Sequence, residues 1–391
     1  MRYRAGIIGC GQVARHHAAA WWAVPGVELV ALADTQLDAL ADFARAFDVP
    51  AEHCYVDYRQ MLDREGLDIV SVCSWHAQHA EMTIAAAARA PRAILCEKPM
   101  AVSLGEADAM ITATGRANVL LAISHMRRFY TGWEEARRRV LAGDIGTPHH
   151  LWSGVCDGLL NCGTHAIDGM RYVLGDPAGE WVIGNVERKT DRHERGIHIE
   201  DACAGLIAFA GGAHAVVESD LTPAGPISFE VIGSEGMLQV KENRVRVFTR
   251  RGDGWQDLDV AQNEPFTAQA RELVDCLDGR IAASEFRNEA TQARAALEIM
   301  MAIYESARRH EVVRLPLQTR AYPLDLMVES GDLPVERPGA YDIRSFLVRG
   351  EAMAPLGTPP TRPCVLADIV SEGQSWSTTG SGTWTERSGR A

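Results

Sequence analysis

Positive charge is in short supply along these 391 residues: Lys and Arg number 39 against 52 Asp and Glu, for a formal net charge of −13. The basic residues form no long block, so the field that attracts a polyanion is missing and no nucleic-acid partner is expected. Cysteine pairs are also lacking. The nine cysteines are scattered, odd in number and without a C-x-x-C spacing, which argues against a disulfide framework or a zinc site. They read instead as small buried apolar residues of a reducing compartment. No apolar run approaches membrane-spanning length. No charged region, apolar core and small-residue cleavage site precedes the first strand, so a cytoplasmic protein without a membrane partner is expected. There is no internal repeat.

What is present is a largely apolar chain, 47% hydrophobic and only 23% charged, long enough for two packed cores. Up to Met126, short β-rich runs alternate with stretches of helical period. The runs are "AGIIG", "VELVALAD", "DIVSVCS", "AILCEKP" and "VLLAISHM". Strands this apolar are covered on both faces, which means an α/β domain with a doubly wound parallel sheet over residues 1–126. After a basic helix from Gly132 to Ala142 the pattern changes to successive strands: "HHLWSGV", "EWVIGNVERKT", "CAGLIAFA", "HAVVESDL", "SFEVIGS", "GMLQVKEN" and "RVRVFTRR". Gly211-Gly212 and the "GSEG" at 233–236 are hairpin-type breaks. Residues 127–317 are therefore expected to form an α/β domain on a large open, mainly antiparallel sheet, closed by helices at Thr267–Leu277 and Glu289–Arg309. Residues 318–391 form a C-terminal extension whose last part, from Ser375, has the composition of a mobile tail.

The stretch "AGIIGCGQVARHHA" places G-x-G-x-x-A at Gly9, Gly11 and Ala14, after a strand and before a helix. Gly9 supplies the tight turn, Gly11 lets the backbone approach a pyrophosphate, and Ala14 lets helix and strand pack closely. Gln12 and Val13 open the helix, whose free N–H groups and positive dipole end face the phosphates. The second strand ends at Asp34, where a carboxylate accepts hydrogen bonds from the adenosine ribose; the same residue also reads as a helix N-cap. Thr35 and Gln36 bring no Arg to the 2′ position, which favours NAD over NADP. "CEKPM" sets Glu97 and Lys98 at the carboxyl edge of the sheet, where a Lys can hold the oxygen of a hydroxyl as it becomes a carbonyl. The plainer reading of Lys98 is an ordinary exposed lysine.

With these motifs, "HMRRF", "LAGDIGTP" and "GTHAIDGMRYVLG" in order, the chain from about residue 4 to 317 resembles the Gfo/Idh/MocA oxidoreductase family. The resemblance implies a Rossmann domain followed by an open-sheet domain, a nicotinamide cofactor, and hydride transfer at a secondary alcohol of a sugar, cyclitol or glycoside. It also implies homo-oligomers, dimers, tetramers or larger, formed through the exposed sheet face. It implies that Ser74, Trp75, His76 and His79 border the nicotinamide ribose, and that Arg127 turns toward the substrate. The family usually sets an Asp four residues before its acid/base His; here the pair is Asn161 and His165. An amide orients an imidazole or binds a hydroxyl but takes up no proton. Asp157, four residues earlier, is the substitute acid, and Asp168 is expected to face backbone or an Arg such as Arg171.

The reading that results is an NAD-dependent dehydrogenase with Lys98, His165 and Asn161 as its catalytic group and Arg127, Asp157, Asn161 and His165 around the substrate. A relative that cleaves glycosides by transient oxidation, and a non-catalytic NAD-binding sensor or scaffold, are the alternatives. His193, His198, Glu200 and Asp201 lie close in sequence, but their spacing is not diagnostic of a metal and none is assigned. The apolar segment from Tyr322 to Phe346 is expected to pack on its own subunit or to reach a neighbour's active-site mouth, with Met327 and Phe346 against a hydrophobic aglycone.

Overall fold

A computed structural model describes residues 3–221 and 227–342. The N-terminal part runs β1 (Tyr3–Ile8), α1 (Gln12–Ala23), β2 (Val27–Ala33), α2 (Leu37–Ala46), β3 (Cys54–Tyr55), α3 (Tyr58–Arg64), β4 (Ile69–Val72), α4 (His79–Ala87), β5 (Ala93–Cys96), α5 (Leu104–Ala117) and β6 (Leu120–Ile123). The strands make one parallel sheet in the order β3-β2-β1-β4-β5-β6. Strand order reverses between β1 and β4, which opens a crevice above their carboxyl ends. All four residues of β4 and of β5 are buried, as a sheet covered on both faces requires. The sixth strand, β3, escapes sequence reading because it is two residues long.

The second part runs α6 (Thr131–Ala142), β7 (Pro148–Val155), a π-helical turn (Leu159–Gly163), α7 (Thr164–Leu174), β8 (Gly179–Glu187), β9 (Thr190–Glu194), β10 (Ile197–His198), β11 (Ala202–Phe209) and β12 (His214–Ser219). It continues with β13 (Ser228–Gly233), β14 (Gly236–Lys241), β15 (Arg244–Thr249), β16 (Trp255–Leu258), α8 (Pro265–Leu277), α9 (Ala290–Arg309), β17 (Val313–Arg314), α10 (Pro323–Ser330) and β18 (Arg337–Asp342). Nine strands form a sheet in the order β16-β15-β14-β13-β7-β12-β11-β8-β17, in which β7 and β12 are the one parallel pair. Residues of period two split its faces. Leu151, Val217, Phe229 and Val231 point into the core, while Trp152, Ile183 and Ile232 lie exposed on the other side. Gly211 and Gly212, at φ +96° and +88°, make the tight turn between β11 and β12.

The structure corrects four expectations. The run "EWVIGNVERKT" is not one strand: the Asp201 carboxylate accepts the N–H groups of Lys189 and Thr190 at 2.7 and 2.8 Å and draws the chain out of the large sheet. From there β9 builds a separate three-stranded sheet, β10-β9-β18. Next, α8 does not stay with the strands that precede it. Its Ala270, Leu273 and Val274, with Phe286 beyond it, are buried in the same cluster as Ile7, Trp21 and Phe43, and Tyr3 Oη donates to Asp278 at 2.6 Å. The packing unit around the parallel sheet thus includes a segment about 150 residues past its last strand. Thirdly, Met327 is 2% exposed, fixed in the core with Leu324 and Tyr322, so it is not free to touch an aglycone. The extension packs on its own chain through α10 and β18; Phe346 and the tail from Ser375 lie outside the described residues. The cysteines are also less uniformly buried than expected: Cys10, Cys73, Cys96 and Cys203 are buried, and Cys54, Cys156, Cys162 and Cys276 only partly.

Candidate active site

A cavity of about 610 Å³ lies over the carboxyl ends of β1, β2, β4 and β5. The glycine turn makes its floor. Gly9 has φ +91°, and a Cβ there would stand 2.7 Å from the Cys73 carbonyl oxygen, so only glycine fits. A Cβ on Gly11 would meet nothing within 4 Å; that side of the turn faces open space. Gly11 caps α1 with no side-chain bond, and the first turn holds no acid, which leaves the helix N–H groups for an anion. Ala14 is fully buried between helix and sheet. Asp34 sits at the rim of the cavity, its two oxygens accepting the N–H groups of Cys10 at 2.7 Å and Gln36 at 2.8 Å. Each oxygen retains a lone pair for a ribose hydroxyl. Gln12, Val13, Trp75 and Glu97 also line the cavity, and the buried Ser74 Oγ at its wall has no partner among the described residues. A crevice with an uncapped helix start, a bare glycine and an orphaned hydroxyl fits a dinucleotide.

Two residues of the anticipated cofactor set do other work. His79 is wholly buried, and its ring nitrogens lie 2.8 Å from the Pro99 carbonyl and 3.1 Å from the Ser74 carbonyl. It ties the loop after β4 to the loop after β5 rather than facing the cavity. His76 is buried as well and bonds Arg195 through Nε2. Glu97 is anchored from behind by His17, whose Nε2 lies 3.0 Å from Oε1. Burial raises the Glu97 carboxyl, but the His17 bond and the charges of His17 and Lys98 more than offset this and bring it down to about 2. The ionised carboxylate also accepts the Lys98 N–H at 3.1 Å.

Lys98 lines the cavity, and its Nζ donates to Asn161 Oδ1 at 2.9 Å and to its main-chain oxygen at 3.2 Å. Asn161 belongs to the π-helical turn and His165 to α7, so the pair spans a change of helix type and not one regular turn. Both are buried. Burial pushes the Lys98 ammonium below its ordinary value, and the Cys162 and Glu97 side chains partly restore it. Burial likewise drives the His165 imidazole well below the usual range, helped by the charges of Lys98 and Arg127 and by His125. His165 Nδ1 has no hydrogen-bond partner among the described residues, and His125 meets its ring edge-on at 6.3 Å. Arg127 is paired with Glu242 at 3.3 Å while its charge reaches His165. Asp157 adopts φ +66° just past β7, its N–H donating to Asp220 at 3.0 Å.

Asp168 takes Arg128, not Arg171: Arg128 Nε and Nη2 donate to both its oxygens at 2.6 to 3.0 Å. Arg171 instead donates to the carbonyls of Pro177 and Gln292. Both members of the Arg128–Asp168 pair are buried, so removing one strands the other's charge. Asp168→Ala should cost about 3–5 kcal/mol of stability in urea unfolding, nearer the lower figure because Asp176 keeps one bond to Arg128.

Sequence reasoning missed His17 and the β9–β10 turn. Ala14, Ala18 and Trp21 mark the buried face of α1, and His17 falls on it by helical spacing, a buried imidazole that must find a partner. Arg195 and Gly196, at φ +50° and +81°, form a two-residue turn that brings Arg195 to the cavity wall. "R-G" between two short polar strands was the available signal.

Residues 3–125 match the family described as "Oxidoreductase family, NAD-binding Rossmann fold" and residues 157–239 match the GFO/IDH/MocA C-terminal domain. The chain is 29% identical over 279 residues to the D-apiose dehydrogenase of Paraburkholderia graminis, covering 64% of this chain and 71% of that one. It is 28% identical over 269 residues to the myo-inositol 2-dehydrogenase of Thermotoga maritima, covering 64% and 79%. The structure of levoglucosan dehydrogenase with NADH and levoglucosan superposes with a TM-score of 0.72 at 21% identity, over 81% of this chain and all of that one, a likeness of fold. No helix among the described residues is long and apolar enough to cross a membrane. This chain is a member of the GFO/IDH/MocA oxidoreductase family, an NAD-binding enzyme with its Rossmann domain at the N-terminus.

Proposed function

We propose that the enzyme oxidises a secondary hydroxyl of a sugar, cyclitol or glycoside to a ketone, or runs the reverse reaction. The observation that carries this reading is Lys98 itself, which lines the dinucleotide crevice, bonds Asn161 through Nζ and bears by its charge on the buried His165 imidazole. Sugar and inositol dehydrogenases among the relatives support the substrate class. NAD, when bound, supplies the acceptor for the hydride that leaves the carbinol carbon. His165, held neutral by its surroundings, takes the hydroxyl proton. The Lys98 ammonium stabilises negative charge as it develops on that oxygen. The Asn161 amide, whose Oδ1 is committed to Lys98, fixes the lysine head in place; its Nδ2 donates one N–H to Cys162 Sγ at 3.6 Å and keeps the second for a neighbouring hydroxyl. Arg127 and Asp157 complete the proposed substrate surroundings. A carboxylate beside His165 is not required by this scheme, because the imidazole passes its proton to solvent once the ketone has formed.

Absorbance of NADH during incubation with a panel of sugars, cyclitols and glycosides tests the proposal. Net NADH on at least one of them is the expected result; turnover of glycosides without net NADH would instead establish bond cleavage with internal recycling. Cofactor choice is a second expectation. Asp34 opposes a 2′-phosphate, so the wild type should prefer NAD, and Asp34→Asn, which keeps an acceptor for the Cys10 N–H, should improve NADP use relative to NAD by about tenfold or more. Paired kcat/KM measurements with the two cofactors check it. We also propose that copies of the chain associate through the sheet face on which, among the described residues, Trp152, Ile183 and Ile232 lie exposed, which light scattering at varied concentration reads.

A further inference from the structure

Of the four residues that lie close in sequence near "HERGIHIED", the fold disperses two. Glu200 is buried, accepting the Leu159 N–H at 2.6 Å and the Tyr304 hydroxyl at 2.7 Å. Asp201 holds the turn between β8 and β9. His193 on β9 and His198 on β10 come together instead, ring centroids 4.6 Å apart, and Asp191 joins them, with one donor atom of each within 4.8 Å of the others.

The hydrogen bonds fix which ring nitrogens are free. His193 Nδ1 lies 3.0 Å from the main-chain oxygen of Asp191, which can only accept. His198 Nδ1 lies 2.9 Å from the Asp325 carboxylate, also an acceptor when ionised. Each neutral imidazole therefore carries its proton on Nδ1 and keeps a lone pair on Nε2, and no donor among the described residues bonds to either Nε2. A carbonyl behind one ring and a carboxylate behind the other is the support that ligating histidines have in metal sites. Arg188 occupies one oxygen of Asp191 at 2.9 Å and leaves the carboxylate further lone pairs.

We propose that Asp191, His193 and His198 bind a divalent transition metal of the zinc class, with three protein donors and a position left for water. Two imidazoles and one carboxylate suit zinc rather than magnesium or calcium. Donors of a tetrahedral ion at about 2.0–2.2 Å lie about 3.3–3.6 Å from one another, so from a spacing within 4.8 Å the side chains close by up to about 1.5 Å on loading. They are partly exposed, on a hairpin, and free to do so. Such an ion would pin β9 to β10 at the root of the turn whose tip carries Arg195 to the cofactor cavity, while Asp325 links the site to α10. The site is separate from Lys98 and His165, and its existence does not depend on the proposed reaction.

The test uses the tag-free full-length chain, stripped with a chelator and dialysed against Zn²⁺, with bound metal counted and affinity read by competition with a chromogenic chelator. One tightly held equivalent, with a micromolar or lower Kd, is expected. His193→Ala and His198→Ala should each weaken it at least a hundredfold, and Asp325→Asn about tenfold. Should His193→Ala fail to fold, His193→Gln keeps the volume without the ligand. Cobalt substitution should give the intense visible absorption of a low-coordinate ion. Failure to retain an equivalent of zinc, or equal retention by a variant lacking both histidines, overturns the proposal.

Discussion

Lys98→Met is expected to lower kcat by about a hundred- to a thousandfold while the Kd for NAD changes only a few-fold. The magnitude is that of removing one preorganised donor from the place where charge develops on oxygen. The asymmetry between rate and binding follows from position. Lys98 stands at the inner end of the crevice with its Nζ turned to Asn161, whereas the glycine turn, the start of α1 and Asp34 make the rest of the cavity and remain intact. Methionine fills most of the lysine's volume, so loss of packing is small; what disappears is the ammonium and the donor that satisfies the buried Asn161 oxygen. Lys98→Arg should not restore the rate, because a planar fork cannot put a single donor where the compact ammonium was. Steady-state kinetics beside NAD titration by protein fluorescence separates the two quantities. Near-normal kcat on a true substrate would remove Lys98 from the reaction.

His165→Ala is the second large effect, a fall of about 10²–10⁴ in kcat for oxidation, the usual worth of a positioned general base. Its pH dependence distinguishes a proton acceptor from a structural histidine. A base must be neutral to act, and burial together with the charges of Lys98 and Arg127 holds His165 well below 6.5. In the wild type the acid limb of kcat/KM should therefore lie below pH 6.5, and activity should hold as pH falls through the range where an ordinary histidine would already be protonated. Arg127→Gln removes one of the positive charges, eases protonation of His165 and should move that limb to higher pH. At the alkaline end, activity should fall as Lys98 loses its proton, and because burial lowers the Lys98 pKa, that limb should come below 10.5. A pH profile of the wild type and Arg127→Gln is the measurement; an acid limb that stays put in the variant would contradict the role given to His165.

The architecture was legible because it is written in periods. Largely apolar, β-rich runs such as "DIVSVCS" read as central strands of a covered sheet, and the paired glycines at 211 and 212 mark a hairpin. The site was legible where chemistry sits at strand ends: Gly9, Gly11, Asp34 and Lys98 all follow strands of one parallel sheet, so the topology gathers them. Less legible was anything set by side chains meeting across the chain. Nothing local says that Asp168 pairs with Arg128 forty residues earlier, or that the His79 ring is consumed by two carbonyls. Nor does period two reveal that a strand-like run changes sheets at Glu187, because the cause is the Asp201 carboxylate, which lies beyond the run. Arg195 reaches the cavity only because a short hairpin stands up beside it, and β9 and β10 are too brief and too polar to register as strands.

The return of α8 to the first core sets a constraint on how the chain can be made. Ile7, Trp21 and Phe43 are finished early in translation, but the surface that covers them, Leu273 and Val274 with Phe286, leaves the ribosome after most of the second sheet. From Met126 to Phe286, at about 5–20 residues per second, the wait is roughly 8–32 s. During it the nascent N-terminal sheet carries an uncovered apolar flank, a surface that invites chaperone capture. Separately expressing the first 126 residues would make that interim state permanent.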